Sequence, residues 1–174
     1  EPPVFLSKFL DKKRRKVSIG QKAYVLSQII KLWGRNVPDS EEEPVKVVLD
    51  ANFFFVPSQF NLDIFEELAN LLNQRFEPII LSSTQKELQA LAESSSPKKQ
   101  KQAQLALRLA EKCRAVPAEK GSMETYDDVI VRVAAEWKSP VATNDRELRR
   151  RLRNLGVPVI FLRQKHRLAL EGSV

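Results

Sequence analysis

The feature that most constrains this fold is the alternation of short apolar segments with longer amphipathic ones between residues 45 and 162. The apolar segments, which have the length and composition of buried strands, are 45–49, 78–81, 114–117, 140–142 and 157–162. The segments with apolar side chains at helical spacing are 62–72, 84–93, 98–112, 125–138 and 145–154. Strands that alternate with helices form a parallel sheet that is covered on both faces. We therefore predict an α/β fold, a doubly wound parallel five-stranded sheet with helices on both faces.

Residues 1–44 depart from this alternation. They contain a basic block, Lys12–Lys16, then a stretch with helical spacing, and then an acidic segment between Pro38 and Pro44. We predict a basic N-terminal helical appendage with an acidic linker at 1–44, one domain at 45–165, and a C-terminal tail at 166–174.

The net charge of +7 is distributed unevenly along the chain. Residues 1–40 contain nine Lys/Arg and three Asp/Glu, and residues 131–174 contain ten and four. The middle of the chain, residues 41–130, contains ten basic and fifteen acidic side chains. Basic ends of this kind suit a nucleic acid partner, because each neutralised phosphate releases counterions. Composition alone supports solvated basic faces equally well.

The counts of two residue types exclude several kinds of chemistry. Cys113 is the one cysteine and His166 the one histidine, which excludes an intramolecular disulfide, a cysteine zinc cluster and a histidine-rich metal site. No apolar run approaches the ~20 residues of a membrane span, and the first residues lack the apolar stretch of a secretory signal. We therefore expect no membrane partner and a cytoplasmic protein, nucleolar if the cell is eukaryotic.

Acidic residues follow the predicted strands, which is where open α/β sheets place their functional residues. They are Asp50, Glu87, Asp127, Asp128 and Asp145. At single positions a structural role is the more common explanation. Thr84 and Glu87 have the spacing of a capping box, residues 125–128 nearly so, and acids in first turns suit the helix dipole. Capping does not account for Asp50, which precedes any predicted helix, nor for the shared placement of the set.

Carboxylates that meet at one edge of a sheet repel each other and raise one another's pKa. A divalent cation relieves that repulsion, and oxygen ligands without histidine or cysteine favour Mg²⁺ or Mn²⁺. Such an ion can activate a water for in-line attack on phosphorus and neutralise charge on the phosphate. The acids are therefore a candidate site for metal-assisted phosphodiester cleavage.

Three segments resemble the sequence motifs of PIN-domain nucleases. Residues 47–54, Val-Val-Leu-Asp-Ala-Asn-Phe-Phe, are similar to the apolar strand and Asp-Thr-Asn with which the family opens. Residues 125–130 are similar to its third acidic motif, and Val-Ala-Thr-Asn-Asp-Arg-Glu-Leu at 141–148 to its fourth, the most specific match. Glu87 fits the lone second acidic position. The resemblance covers about residues 45–165 and looks closest to the archaeal and eukaryotic branch associated with small-subunit rRNA processing.

The resemblance implies dependence on Mg²⁺ or Mn²⁺ and endonucleolytic cleavage of RNA. The catalytic and metal-binding residues that it implies are Asp50, Glu87, Asp127, Asp128 and Asp145. Asp127 is preferred to Asp128, because Ile130 then falls at the family's offset. The supporting polar residues that it implies are Asn52, Thr143 and Asn144. Ala51 stands where the family usually has Thr, and the missing hydroxyl could have oriented the first aspartate, which puts the rate of catalysis in doubt.

Basic residues are candidates for contact with RNA, and a solvated charged face is the equally weighted alternative. The expected RNA-binding residues are Lys12, Lys13, Arg14, Arg15, Lys16, Arg146, Arg149, Arg150 and Arg153. The four at 146–153 lie on the predicted helix that begins near Asp145, which favours phosphate contact. The block at 12–16 could instead serve as a nuclear-type address.

The leading hypothesis is a metal-dependent endoribonuclease that acts on precursor ribosomal RNA in ribosome biogenesis. The alternatives are an RNA-binding ribosome assembly factor with a weak or vestigial site, and a PIN toxin-type ribonuclease, against which the long N-terminal appendage argues. A haloacid-dehalogenase-like phosphatase is excluded, because it needs a second aspartate where Asn52 stands. Homo-oligomerisation and binding to ribosome-assembly proteins remain open.

Overall fold

The structure, a computed structural model, describes residues 43–94 and 96–174. The basic block Lys12–Lys16 and nearly all of the predicted appendage lie outside the described residues, so their predicted roles stay predictions. The division of the chain into appendage, domain and tail also stays a prediction. Within the described residues, the structure contains no helix with the length and apolar character needed to cross a membrane.

Six strands form one sheet with the order β3-β2-β1-β4-β5-β6. The strands are β1 (Val45–Leu49), β2 (Phe76–Leu81), β3 (Arg114–Val116), β4 (Val141–Ala142), β5 (Val159–Arg163) and β6 (Arg167–Glu171). The first five are parallel, and β1 lies between β2 and β4. This confirms the predicted α/β fold. It also places the topological switch point, where such sheets bind their ligands, at the carboxyl ends of β1 and β4.

The helices connect the strands on both faces of the sheet. They are the 3-10 helix η1 (Ala51–Phe55) and the α-helices α1 (Val56–Phe60), α2 (Ile64–Leu72), α3 (Ser82–Ser94), α4 (Pro97–Ala110), α5 (Tyr126–Trp137) and α6 (Arg146–Asn154). Asp63, Thr125 and Asp145 cap α2, α5 and α6, because their side chains accept hydrogen bonds from N–H groups that a first turn leaves unpaired. Gly156 follows α6 with a φ of 71°, the left-handed conformation that commonly ends a helix.

Two apolar clusters hold these layers together. Successive β1 residues point to opposite faces, with Val47 and Leu49 in one cluster and Val48 in the other. The first cluster packs mainly against η1, α1, α2 and α4, and the second against α5 and α6. The large side chains buried in each stabilise the fold by about 1.5–3 kcal/mol apiece. As a result, β1 is buried on both faces and its carboxyl end is held rigidly.

The predicted five-stranded sheet is incomplete, because β6 pairs antiparallel with β5. The turn between them places Gln164 and Lys165 in left-handed conformations, with φ values of 54° and 65°. Glycine or asparagine usually occupies such positions, so this hairpin has no sequence signal. Residues 167–171, which the sequence assigned to a tail, therefore belong to the sheet.

Helix α3 begins at Ser82, earlier than the predicted start at Thr84. The Ser82 hydroxyl donates to the carbonyl of Ala118 and accepts from its N–H, which ties the helix start to the segment after β3. Thr84 lies inside the first turn, with its hydroxyl buried and without a hydrogen-bond partner in the described part of the chain. The predicted capping box of Thr84 and Glu87 is therefore wrong, and the Glu87 carboxylate is not used in capping.

Candidate active site

Asp50 directly follows β1 at the switch point and is 4% exposed. The Thr143 hydroxyl donates to its Oδ2 at 2.6 Å, and the Asn52 side-chain amide donates to the same oxygen. Burial raises the pKa of Asp50 to about 6, the hydrogen bond from Thr143 opposes that rise, and the charges of Asp127 and Asp145 add to it. No ion pair between described residues compensates the charge of Asp50.

Asn52, Thr143 and Asn144 join the ends of three strands beneath Asp50. The Asn52 side-chain oxygen accepts from the Asn144 N–H at 3.1 Å, and the Asn144 side-chain oxygen accepts from the Leu162 N–H in β5 at 2.8 Å. The Thr143 hydroxyl oxygen accepts from the Asp145 N–H at 3.1 Å. These bonds fix the relative positions of the two aspartates that follow β1 and β4.

Asp50 is oriented by hydrogen bonds from other residues, although Ala51 has no hydroxyl. The residue is buried in η1, with 2% of its surface exposed. The hydroxyl that contacts Asp50 belongs to Thr143, 93 positions further along the chain. Asp50 is therefore oriented by the threonine of the segment similar to the family's fourth motif, a residue separate from the threonine that Ala51 replaces.

Glu87 and Asp127 lie within electrostatic range of Asp50. Burial raises the pKa of Glu87 to about 7, and the charges of Asp50 and Asp127 add to that rise. Partial burial and the charge of Asp145 raise the pKa of Asp127, while Arg151 opposes the rise. Asp50 follows β1 and Asp145 follows β4, whereas Glu87 and Asp127 lie near the starts of α3 and α5, the helices that follow β2 and β3. Because these strands are parallel, their carboxyl ends, and with them the four acids, lie at one edge of the sheet. We call these four residues the acidic cluster.

Asp145 has two roles in this geometry. Its Oδ1 accepts from the N–H groups of Glu147 and Leu148 at 2.7 and 2.9 Å, so it caps α6 as its position in a first turn suggested. Its charge nevertheless contributes to the pKa values of Asp50 and Asp127. Capping and membership of the acidic cluster are therefore compatible for one carboxylate.

Asp128 is next to Asp127 in sequence, but its carboxylate is bound by Thr125 and Arg151. Its Oδ2 accepts from the N–H and the hydroxyl of Thr125, both at 2.7 Å, and Thr125 in turn caps the Asp128 N–H. Arg151 also contacts its carboxylate. The hydrogen bonds from Thr125, then that from Arg151, lower the pKa of Asp128 to about 2. The capping-box spacing at 125–128 is thus confirmed, and the geometry favours Asp127 as the third acid of the site.

The acidic cluster suits a divalent cation by donor type. Its potential ligands are all oxygens, and a cation would relieve the repulsion that, after burial, raises the pKa values of Asp50, Glu87 and Asp127. Among the described residues, no group of three or more acidic, histidine or cysteine side chains is arranged to hold one ion. Asp50 Oδ2 accepts from Thr143 and Asp145 Oδ1 accepts from the start of α6, so one oxygen of each carboxylate already has a hydrogen-bond partner. Mg²⁺ commonly binds through one or two carboxylates and keeps several waters, so the residues fit such an ion.

Comparison with protein families matches residues 47–165 to the family described as "PIN like domain". This range contains β1 to β5 apart from two residues at the start of β1, and it contains every acid of the cluster. The chain belongs to the PIN-like domain family. The predicted family is thereby confirmed.

Three relatives extend this result. Ribonuclease VapC4 of Methanocaldococcus jannaschii is 32% identical over 130 residues, which cover 74% of this chain and 98% of that protein. The rRNA-processing protein fcf1 of Schizosaccharomyces pombe is 28% identical over 134 residues, which cover 75% of this chain and 65% of that protein. The structure of the PIN domain endonuclease Utp24 is similar with a TM-score of 0.64 at 29% identity, over 75% of this chain and 94% of that one. The PIN fold is therefore shared by sequence and by structure.

Arg149 and Arg153, two of the arginines predicted to bind RNA, connect α6 of the PIN-like domain to β6. The Arg149 guanidinium lies 3.5 Å from the centre of the Phe161 ring, and its Nη2 lies 3.5 Å from a Glu171 carboxylate oxygen. Arg153 lies 2.7 Å from the other Glu171 oxygen. These contacts favour a structural role for Arg149 and Arg153.

The other two arginines of α6 have weaker ties. Arg150 pairs with Glu147 at 2.8 Å, and both side chains are mostly exposed. Arg146 is exposed and takes part in none of the ion pairs between described residues. Arg146, next to Asp145 in sequence, is therefore the better placed of the predicted RNA-binding arginines.

Arg151 has a role that sequence analysis did not identify. It binds Asp128 across 23 positions and lowers the pKa of Asp127, so it connects α6 to the start of α5 beside the acidic cluster. In the sequence it is one of several arginines in a row, and nothing there distinguishes it. A contact between two helices was needed to single it out.

Proposed function

We propose that this protein is a metal-dependent endoribonuclease that cleaves RNA phosphodiester bonds and acts on precursor ribosomal RNA. The observation that carries the proposal is the acidic cluster. Burial and neighbouring carboxylates raise the pKa values of Asp50, Glu87 and Asp127, which makes the folded protein less stable at neutral pH. A fold tolerates such destabilisation at functional sites, where perturbed pKa values concentrate.

The relatives support the reaction and the class of substrate. VapC4 is named a ribonuclease and Utp24 an endonuclease. The rRNA-processing protein fcf1 supports ribosome biogenesis as the setting. Location in the cytoplasm, or in the nucleolus of a eukaryotic cell, is part of this proposal, as are contacts with ribosome-assembly proteins.

Each residue of the site has a proposed task. Asp50, Glu87, Asp127 and Asp145 would hold Mg²⁺ or Mn²⁺, and Asn52 with Thr143 keeps Asp50 in position. A bound ion would supply activation of water and neutralisation of charge on the scissile phosphate. Arg146, exposed beside Asp145, would contact a neighbouring phosphate.

The alternative is an RNA-binding assembly factor with a weak or vestigial site, which Ala51 favours slightly. The Thr143 hydroxyl orients Asp50, which favours a working site. The similarity to VapC4 supports ribonuclease chemistry and leaves the identity of the target RNA to experiment. We therefore retain the endoribonuclease as the proposed function.

The test is cleavage of an RNA substrate in Mn²⁺ by the parent and by Asp50→Asn and Asp145→Asn variants. Asparagine keeps the hydrogen-bond geometry at both positions, including the cap of α6, but it removes the charge. We expect each variant to lose activity by at least about 100-fold while its circular dichroism spectrum stays unchanged.

The matched control is Glu147→Gln, which removes a charge from the same helix at an exposed position paired only with Arg150. It should cleave at the rate of the parent. Equal rates for Asp50→Asn and the parent would remove the catalytic assignment.

A further inference from the structure

Helix α4 has an unusual charge content for a surface helix. It contains four cations, Lys98, Lys99, Lys101 and Arg108, and no acidic residue. Its buried face is made of alanines at 103, 106 and 110, which pack against the first apolar cluster. The cations therefore lie on the opposite, solvent-facing side, and packing of the core does not require them.

Three of these cations line one groove. Lys98, Lys101 and Arg108 border a depression of about 430 Å³, together with Leu105 and the polar side chains of Ser58, Gln102 and Gln104. None of the residues that line it is acidic. Along a helix, positions 98 to 108 span about 15 Å, over which one strand of a helical nucleic acid presents about four phosphates. We call this surface the α4 groove.

Within the described residues, no acidic side chain forms an ion pair with the cations of the α4 groove. On α6, by contrast, four of the arginines are paired with acids. Exposed cations that have no internal partner and converge on one groove produce a local positive potential, which attracts a polyanion.

We propose that the α4 groove binds the phosphate backbone of RNA, as a second contact surface outside the acidic cluster. The inference rests on the proposed function in taking RNA as the polyanion. Glutamine and serine side chains between the cations are suited to phosphate oxygens and ribose hydroxyls. A protein partner would be favoured by several exposed apolar side chains at the centre of the groove, and the groove contains one large exposed apolar side chain, Leu105. Helix α4 packs against η1, which directly follows Asp50, so η1 connects the groove to the site.

The test uses the full chain, and it measures binding of a labelled oligouridylate of about 20 nucleotides in EDTA, at several salt concentrations. The variant is Lys98→Gln with Lys101→Gln and Arg108→Gln. If three phosphate contacts are lost, the slope of log affinity against log salt becomes shallower by about 2. Between about 0.05 and 0.2 M salt, the parent would then lose roughly 20-fold more affinity than the variant.

The matched control removes the same charge from another exposed surface, through Arg163→Gln with Lys165→Gln and Arg167→Gln in the β5–β6 hairpin. Its slope should equal that of the parent. An unchanged slope for the α4 variant, or an equal change in the control, would overturn the proposal and leave acidic proteins as the candidate partner. Because EDTA prevents metal-dependent cleavage, binding through the groove and catalysis at the acidic cluster can fail independently.

Discussion

The acidic cluster and the acids that bridge α5, α6 and β6 show two opposite ways of placing carboxylates in one small domain. Burial and neighbouring acids raise the pKa values of Asp50, Glu87 and Asp127. At Asp128 and Glu171, hydrogen bonds from Thr125 and from arginines lower the pKa instead. The residue types are the same, so the difference lies in the partners that the fold supplies.

This contrast distinguishes acids that serve the proposed function from acids that stabilise the fold. An acid with a lowered pKa favours the folded state at neutral pH, whereas an acid with a raised pKa opposes it. The arginine-bound acids hold α6 against its neighbours, and the acidic cluster makes the same framework less stable while it is empty of cations. Asp127 and Asp128 are adjacent in sequence and fall on opposite sides of this division.

Stabilisation by Mn²⁺ is the largest effect expected to distinguish the acidic cluster from the arginine-bound acids. A ligand at about 100 times its dissociation constant stabilises the folded state by about 2.7 kcal/mol, so Mn²⁺ should raise the thermal midpoint of the parent by several degrees, reversibly with EDTA. Asp127→Asn should lose most of this rise, because it removes a member of the acidic cluster.

Asp128→Asn is the matched control for that measurement. It should lower the midpoint without metal, since it weakens the capping box and the pair with Arg151, but it should keep the rise caused by Mn²⁺. If the two variants responded to Mn²⁺ in the reverse order, Asp128 would be the third acid of the site.

A smaller effect is expected from Glu87→Gln in the absence of metal. The pKa of Glu87 rises from its ordinary value near 4.5 to about 7 on folding. The folded state therefore binds this proton more tightly, and the stability that the proton contributes is lost as pH rises through about 7. Glutamine should stabilise the protein by about 1 kcal/mol near pH 8, after allowance for solvent screening, and should change little near pH 4. Chemical denaturation in EDTA at both pH values measures this, and destabilisation near pH 8 would contradict the rise in the pKa of Glu87 caused by burial and by Asp50 and Asp127.

Sequence reasoning succeeded where the signal is local and failed where it depends on a distant partner. The parallel strands and the position of Asp50 after β1 follow from runs of apolar residues and from the general placement of sites in such sheets. The start of α3 was missed because the serine that fixes it bonds to Ala118, 36 positions away. The β5–β6 hairpin was missed because Gln164 and Lys165 adopt left-handed conformations that their residue types rarely take.

The choice between Asp127 and Asp128 shows the same limit inside the site. The spacing to Ile130 favoured Asp127, and the structure adds a reason that the sequence does not contain, namely the commitment of Asp128 to Thr125 and Arg151. Likewise, the arginines of α6 look equivalent in sequence, and only their contacts with Glu171, Glu147 and Asp128 distinguish them.

The smallest expected effect is that of Glu171→Gln in β6, which should destabilise the protein, whereas Glu87→Gln should stabilise it. Arg153, and to a lesser degree Arg149, lowers the pKa of Glu171, so its contribution to stability is present above the unfolded value near 4.5 and is lost as pH falls through the lower folded value. The variant should therefore be slightly less stable than the parent near pH 8, and the difference should shrink as pH falls below about 4.5 and also in high salt. Glu147→Gln should show a smaller loss of stability. Its ion pair with Arg150 is mostly exposed and lies within α6, so it connects no second element to that helix. Thermal midpoints across pH would measure both variants. A gain in stability near pH 8 for Glu171→Gln would show that Glu171 opposes folding at this pH, as the acids of the acidic cluster do. The contrast between the two kinds of acid would then be wrong.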